Sequence, residues 1–303
     1  IGNNCDDMTT LDSQFQDYIN AYTADIDLTQ YNLVHFIVNC DRAFGFATVP
    51  PDGRNINDST GSRFLTYGVD SSTNGAFCTP GSGCVNGNYG EYGITHEIGH
   101  QIGADHSNDW DCGSAIYSDT GCTTQEYYDA YSIMAYRTWD TNAIHKEQYG
   151  WLNSTNLQTL ISSGSFRLCP FETAGCINVL RVPKLKDASN NVLSWYYVEW
   201  RQALGLDENI PAAAQNGALI HFTQPGDLHS YLIDSTPDST STDPNDKTDL
   251  KDAAFRPGTT FSDPTNGVSI SINSADSSGL SGSVTTGGPT TCVRQSPTAE
   301  VSP

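Results

Sequence analysis

The stretch His96-Glu97-Ile98-Gly99-His100-Gln101-Ile102-Gly103-Ala104-Asp105-His106 decides the reading of this chain. Its fixed positions follow the pattern H-E-x-x-H-x-x-G-x-x-H. Residues four apart on a helix share a face, so His96 and His100 aim their imidazoles at one point while Glu97 projects beside them. A third imidazole cannot lie on the same straight helix at this spacing. The chain has to stop and turn, and Gly103, which tolerates positive φ, is the residue type that ends a helix sharply. His106 then arrives from the far side of the bend. Three neutral imidazoles hold one zinc ion and leave a position open, the arrangement of a catalytic rather than a structural site, and Glu97 is the candidate general base.

Upstream of this motif the helix is predicted to begin near Tyr89, with Asn88 as N-cap and Glu91 three residues on, a capping-box arrangement. Gly90, Gly93 and Gly99 each weaken it in isolation by about 1 kcal/mol. Packing has to hold it, and the glycines let its backbone approach a neighbouring strand. The apolar runs 32–40 and 64–69 read as strands of a central sheet, and the apolar period over 8–24 as a helix. His35, inside the first run, reads as a core or edge histidine because the metal already has three ligands. Pro50, Pro51 and Gly53, with the polar residues 55–62, predict a long surface loop.

Downstream stands Ser132-Ile133-Met134-Ala135-Tyr136. The elongated histidine motif followed by this segment resembles the metzincin clan of metalloproteases. The resemblance implies an α+β zincin catalytic domain, built from a mixed twisted sheet and an active-site helix. It further implies one catalytic zinc on His96, His100 and His106, with Glu97 as catalytic base and Met134 as the floor of a Met-turn. Tyr136 would bind zinc or donate to the oxyanion. Segments 142–152, 195–201, 217–222 and 257–261 are similar to gametolysin-like peptidases, so the likeness covers residues 90–284. Gly99 also suits the pappalysin-like family, the runner-up. Ser107 stands where astacins carry Glu, so the astacin pairing of that Glu with a buried amino terminus is not available.

The remaining composition bounds the setting. Lys and Arg number 14 against 35 Asp and Glu, a net charge of −21. That balance argues against nucleic acid and anionic membranes, either of which needs a basic footprint. Nine cysteines without a C-x-x-C pair imply a secreted, disulfide-bonded protein. Short spacings predict the bridges Cys78–Cys84, Cys112–Cys122 and Cys169–Cys176, which leaves Cys5 with Cys40 and Cys292 over. The chain opens at Ile1 with no apolar leader and contains no membrane-spanning run, and reads as a mature fragment of a zymogen.

From residue 165 short β runs separated by turn signals predict an all-β antiparallel sandwich. The expected domains are therefore residues 1–163 (catalytic), 164–286 (β-sandwich) and 287–303 (flexible tail). The acidic stretch 234–252 is a solvated loop, with Ca2+ binding as its second reading. The functional expectation is a monomeric, secreted zinc endopeptidase acting on extracellular proteins and peptides. The alternative is an adhesion or binding module that keeps a protease scaffold, against which the intact Glu97 and three ligands speak.

Overall fold

The computed structural model describes residues 31–39, 45–49, 54–58, 61–72, 91–135, 137, 139–237, 239 and 249–287. The helix expected over 8–24, the start of the motif helix at Asn88 and Tyr89, and Tyr136 lie outside the described residues. So do Cys5, Cys40, Cys78, Cys84 and Cys292.

The run at 32–40 forms β1 (Leu33–Asn39), which pairs in parallel with β4 (Gly61–Ser72). Two further strands, β2 (Gly45–Ala47) and β3 (Arg54–Asp58), lie antiparallel to β4 and make the sheet mixed. Of residues 55–62, expected as loop, 55–58 and 61–62 are thus strand, with Asp58 opposite Gly61. The ladder is made by backbone groups, so polar composition does not exclude an edge strand. Helix α1 (Glu91–Gln101) is tied to this sheet through its last residue. Gln101 Nε2 donates to the Val34 carbonyl at 2.8 Å, and Gln101 Oε1 lies 2.9 Å from His35 Nδ1. His35 therefore serves the helix–strand contact.

After α1 the chain bends at Gly103, whose φ of 119° is open to glycine. It then enters β5 (Ser107–Trp110), directly after the third histidine. This strand belongs to a six-stranded sheet with β6 (Leu157–Thr159), β8 (Val179–Lys186), β9 (Val192–Glu199), β10 (Leu219–Phe222) and β11 (Ser230–Ile233), in the order β5-β11-β10-β9-β8-β6. The central pairs are antiparallel, whereas β5–β11 and β6–β8 are parallel. These parallel pairs make the sheet mixed, not antiparallel throughout as expected, and since both edges come from before residue 163 it draws strands from either side of that position. A second sheet in the order β12-β13-β14-β7 is antiparallel throughout: β7 (Gly164–Leu168), β12 (Thr260–Asp263), β13 (Val268–Asp276) and β14 (Gly279–Thr286).

Side chains alternate across a strand, and the two faces of the six-stranded sheet do different things. Val182, Tyr196, Val198, Ile220 and Phe222 form one core with Leu168, Phe261, Ile270 and Val284 of the four-stranded sheet. On the opposite face Leu219 and Leu232 pack with Ala130 and Tyr131, and Tyr197 packs with Ala143 and Ile144 of α2 (Ala143–Gln148). A buried ion network fixes α2 there. Arg201 pairs with Asp207 and Glu199 and donates to the Asp140 carbonyl at 3.1 Å, while Glu199 Oε2 accepts the Ala143 N–H at 2.7 Å. The bridges Cys112–Cys122 and Cys169–Cys176 form as expected.

Candidate metal centre

Helix α1 carries His96, Glu97 and His100, and the bend at Gly103 returns His106 to the same point; one ligand atom from each histidine lies within 4.8 Å of the others. Each imidazole spends its Nδ1 hydrogen on a different acceptor. His96 Nδ1 donates to the Ile133 carbonyl and His100 Nδ1 to the Ala104 carbonyl, both at 2.9 Å, and His106 Nδ1 lies 2.5 Å from Glu126 Oε1. With Nδ1–H so engaged, the lone pair sits on Nε2 in every ring. The Nε2 atoms of His96 and His100 are 3.1 Å apart. Two acceptors this close in a buried site are an arrangement that a cation between them would satisfy.

Burial holds the imidazoles neutral. It drives the His96 pKa down to about 2 and that of His100 to about 4, with neighbouring imidazoles adding to the effect. His106 is lowered by burial as well, against the opposing pull of Glu126. Three neutral nitrogen donors converging on one point fit zinc. Glu97, on the same helix, is buried.

Under the helix, the 3-10 turn Ile133–Ala135 is buried, with Met134 fully so. A Cβ built on Gly99 would lie 2.4 Å from Met134 Sδ and 2.8 Å from Tyr149 Oη. The close approach that Gly99 permits is therefore to Met134 and Tyr149. Tyr136, the other residue singled out in this segment, lies outside the described residues.

Several residues at the centre carry no signal in the sequence. Glu126 and Tyr127 reach it from a loop: the Tyr127 ring centroid is 4.0 Å from that of His106 and 6.0 Å from that of His96. Ser107 is buried at a junction below, where its hydroxyl meets Ser132 Oγ at 2.8 Å, Ser230 Oγ at 3.0 Å and Asn142 Nδ2 at 3.1 Å. Asn142 also caps α2, and its Nδ2 approaches Asp129, which pairs with His221 at 3.1 Å. Burial opposes both charges, but each partner favours the other's, so Asp129 is held below and His221 above its ordinary value. On the rim, His229 bridges Asp227 at 2.6 Å and Asp105 at 3.3 Å. Away from the centre, Asp234, Asp249 and Asp252 bring carboxylate oxygens within 4.8 Å, and burial together with the other two carboxylates pushes Asp234 up to about 7.

The family model of metallo-peptidase family M12 matches residues 3–145. The match includes all three histidines, Glu97 and Met134, and ends inside α2. No curated protein and no solved structure matches the chain. The family match, the mixed sheet beside α1 and the histidine cluster together support a metallopeptidase of the metzincin type with a zincin-like α+β domain. No helix among the described residues is long and apolar enough to cross a membrane.

Proposed function

We propose that this chain is a secreted zinc endopeptidase that cleaves extracellular proteins, with Glu97 as general base. The observation that carries the reading is the convergence of three neutral imidazoles, each with Nδ1 engaged, beside a buried glutamate on the same helix. His96, His100 and His106 would hold the ion through Nε2. A zinc ion bound there supplies Lewis acidity, polarising the scissile carbonyl and bringing the pKa of a bound water toward ~7.

The chain's own residues supply the rest of the chemistry. Glu97 takes the proton from the attacking water and hands it to the leaving amine, a contribution worth about 10²–10⁴ in rate. Met134 forms the floor that keeps His96 and Gly99 in place. Tyr136, two residues beyond it, is assigned to the developing oxyanion on the strength of the metzincin resemblance. Within that clan the segments 142–152 and 195–201 favour a gametolysin-like enzyme. Residues 164–286 act as the scaffold of the catalytic part through their shared sheet, and the two disulfides support an oxidising, extracellular setting.

The test is metal analysis of the purified protein combined with casein cleavage. Chelation should abolish cleavage and zinc restore it, and Glu97→Gln should keep the metal while losing about 10²-fold or more in rate. Near-wild-type cleavage by Glu97→Gln would sink the assignment.

A further inference from the structure

We infer that Glu126 is a positioning residue for the third metal ligand, holding the His106 imidazole in the tautomer and orientation that present Nε2 to the ion. The inference rests on the zinc reading above. His96 and His100 use neutral carbonyl acceptors supplied by the chain around them. His106 instead faces a carboxylate 20 residues downstream, at 2.5 Å. A carboxylate behind a ligating imidazole fixes the ring and raises its basicity toward the metal.

The segment that delivers Glu126 is anchored to β5 at nearly every step. The Cys112–Cys122 bridge closes its base, and Asp111 and Thr123 exchange backbone hydrogen bonds at 2.9 and 2.8 Å. Thr124 Oγ1 donates to the Asp109 carbonyl at 2.9 Å, the Gln125 N–H to Asp109 Oδ1 at 2.5 Å, and the Tyr127 N–H to Asn108 Oδ1 at 3.2 Å. Tyr127 adopts a φ of 66°, a left-handed conformation that is costly for a bulky residue and persists only where the surroundings impose it. Its ring lies against that of His106, with the centroids 4.0 Å apart. The third ligand is thus contacted by a carboxylate and an aromatic ring carried by consecutive residues.

A plain surface ion pair would have no effect on the metal, because exposed pairs contribute little and Glu126 is 55% exposed. The zinc affinity of the full chain, by competition with a chromophoric chelator, separates the two roles. It is measured for wild type, Glu126→Gln and Glu126→Ala, alongside the thermal midpoint of the metal-free proteins and the visible spectrum of the Co2+ forms. Glu126→Ala is expected to weaken zinc binding about 10–100-fold. Glu126→Gln, which keeps a neutral acceptor of the same shape, is expected to fall between. The Co2+ bands shift as the third imidazole loosens, while the metal-free midpoints stay together. Zinc affinity within about threefold of wild type in both variants, with unchanged Co2+ spectra, overturns the positioning role. A wild-type protein that binds no zinc at all overturns the metal reading and this inference with it.

Discussion

Replacing Gly99 by alanine sets two effects of opposite sign against each other. Gly99 lies inside α1 without a positive φ, so the backbone accepts a side chain and the helix gains about 0.8–1.0 kcal/mol from the better propensity of alanine. Against this, the new methyl would meet Met134 Sδ at 2.4 Å and Tyr149 Oη at 2.8 Å. Met134 is fully buried and has no solvent side to retreat to, so overpacking of this kind costs about 1–3 kcal/mol. The clash offsets or outweighs the propensity, and a net loss of up to about 2 kcal/mol is expected in urea unfolding of the metal-free protein. Zinc affinity falls too, because displacing Met134 moves the adjoining Ile133 carbonyl that accepts from His96. Adding Met134→Ala removes the obstruction, and the double variant should be more stable than the sum of the singles by about 1 kcal/mol or more. Stabilisation of Gly99→Ala by about 1 kcal/mol with unchanged zinc binding would refute the packing argument, since that is how an unobstructed helical glycine behaves.

Three further outcomes follow from the fold. Arg201→Met leaves Glu199 and Asp207 buried without their counter-charge and should cost about 3–5 kcal/mol in urea unfolding at neutral pH; a loss below about 1 kcal/mol would show the network is not needed. His145 is fully buried, neither ring nitrogen has a hydrogen-bond partner among the described residues, and burial drives its pKa down to about 3. Its unfolded form takes up a proton first, so its contribution is full above about pH 6.5 and is lost as pH falls toward 3, with a slope of up to about 1.4 kcal/mol per pH unit. His145→Asn should flatten the stability curve between about pH 4 and 6 by up to that amount, and parallel curves would count against it. Serine at both Cys112 and Cys122 should lower stability by about 2–4 kcal/mol and weaken zinc binding in step; unaltered zinc affinity would separate the bridge from the third ligand.

The clustering of His96, His100 and His106 was legible because its geometry is local: a helical i, i+4 pair, a glycine bend and one more imidazole. The strands after residue 164 were legible for the same kind of reason, since β8, β9, β10, β13 and β14 show apolar runs between turn residues. Contacts made at long range left no such trace. Nothing in the pattern around Glu126 distinguishes it from a solvated acid, and its partner is 20 residues away. In the sequence Ser107 signifies only the absence of an astacin-type Glu, yet its hydroxyl meets side chains from residues 132, 142 and 230. Gly99 announced a close approach but not to what. The polar residues 55–62 misled because a ladder built from backbone groups leaves little mark on side-chain composition.

The parallel pairing of β5 with β11 sets an order of events for a chain emerging from the ribosome. Ser107 follows His106 directly, and its strand is hydrogen-bonded to residues that are made more than 120 positions later. When the whole histidine motif and Met134 have already been synthesised, the strand that anchors His106 still lacks its neighbour. Closing so long a loop is slow compared with local helix formation. The nascent protein therefore carries the three histidines for much of its synthesis without the framework that sets them, and a chain cut after Gln148 would stay in that condition.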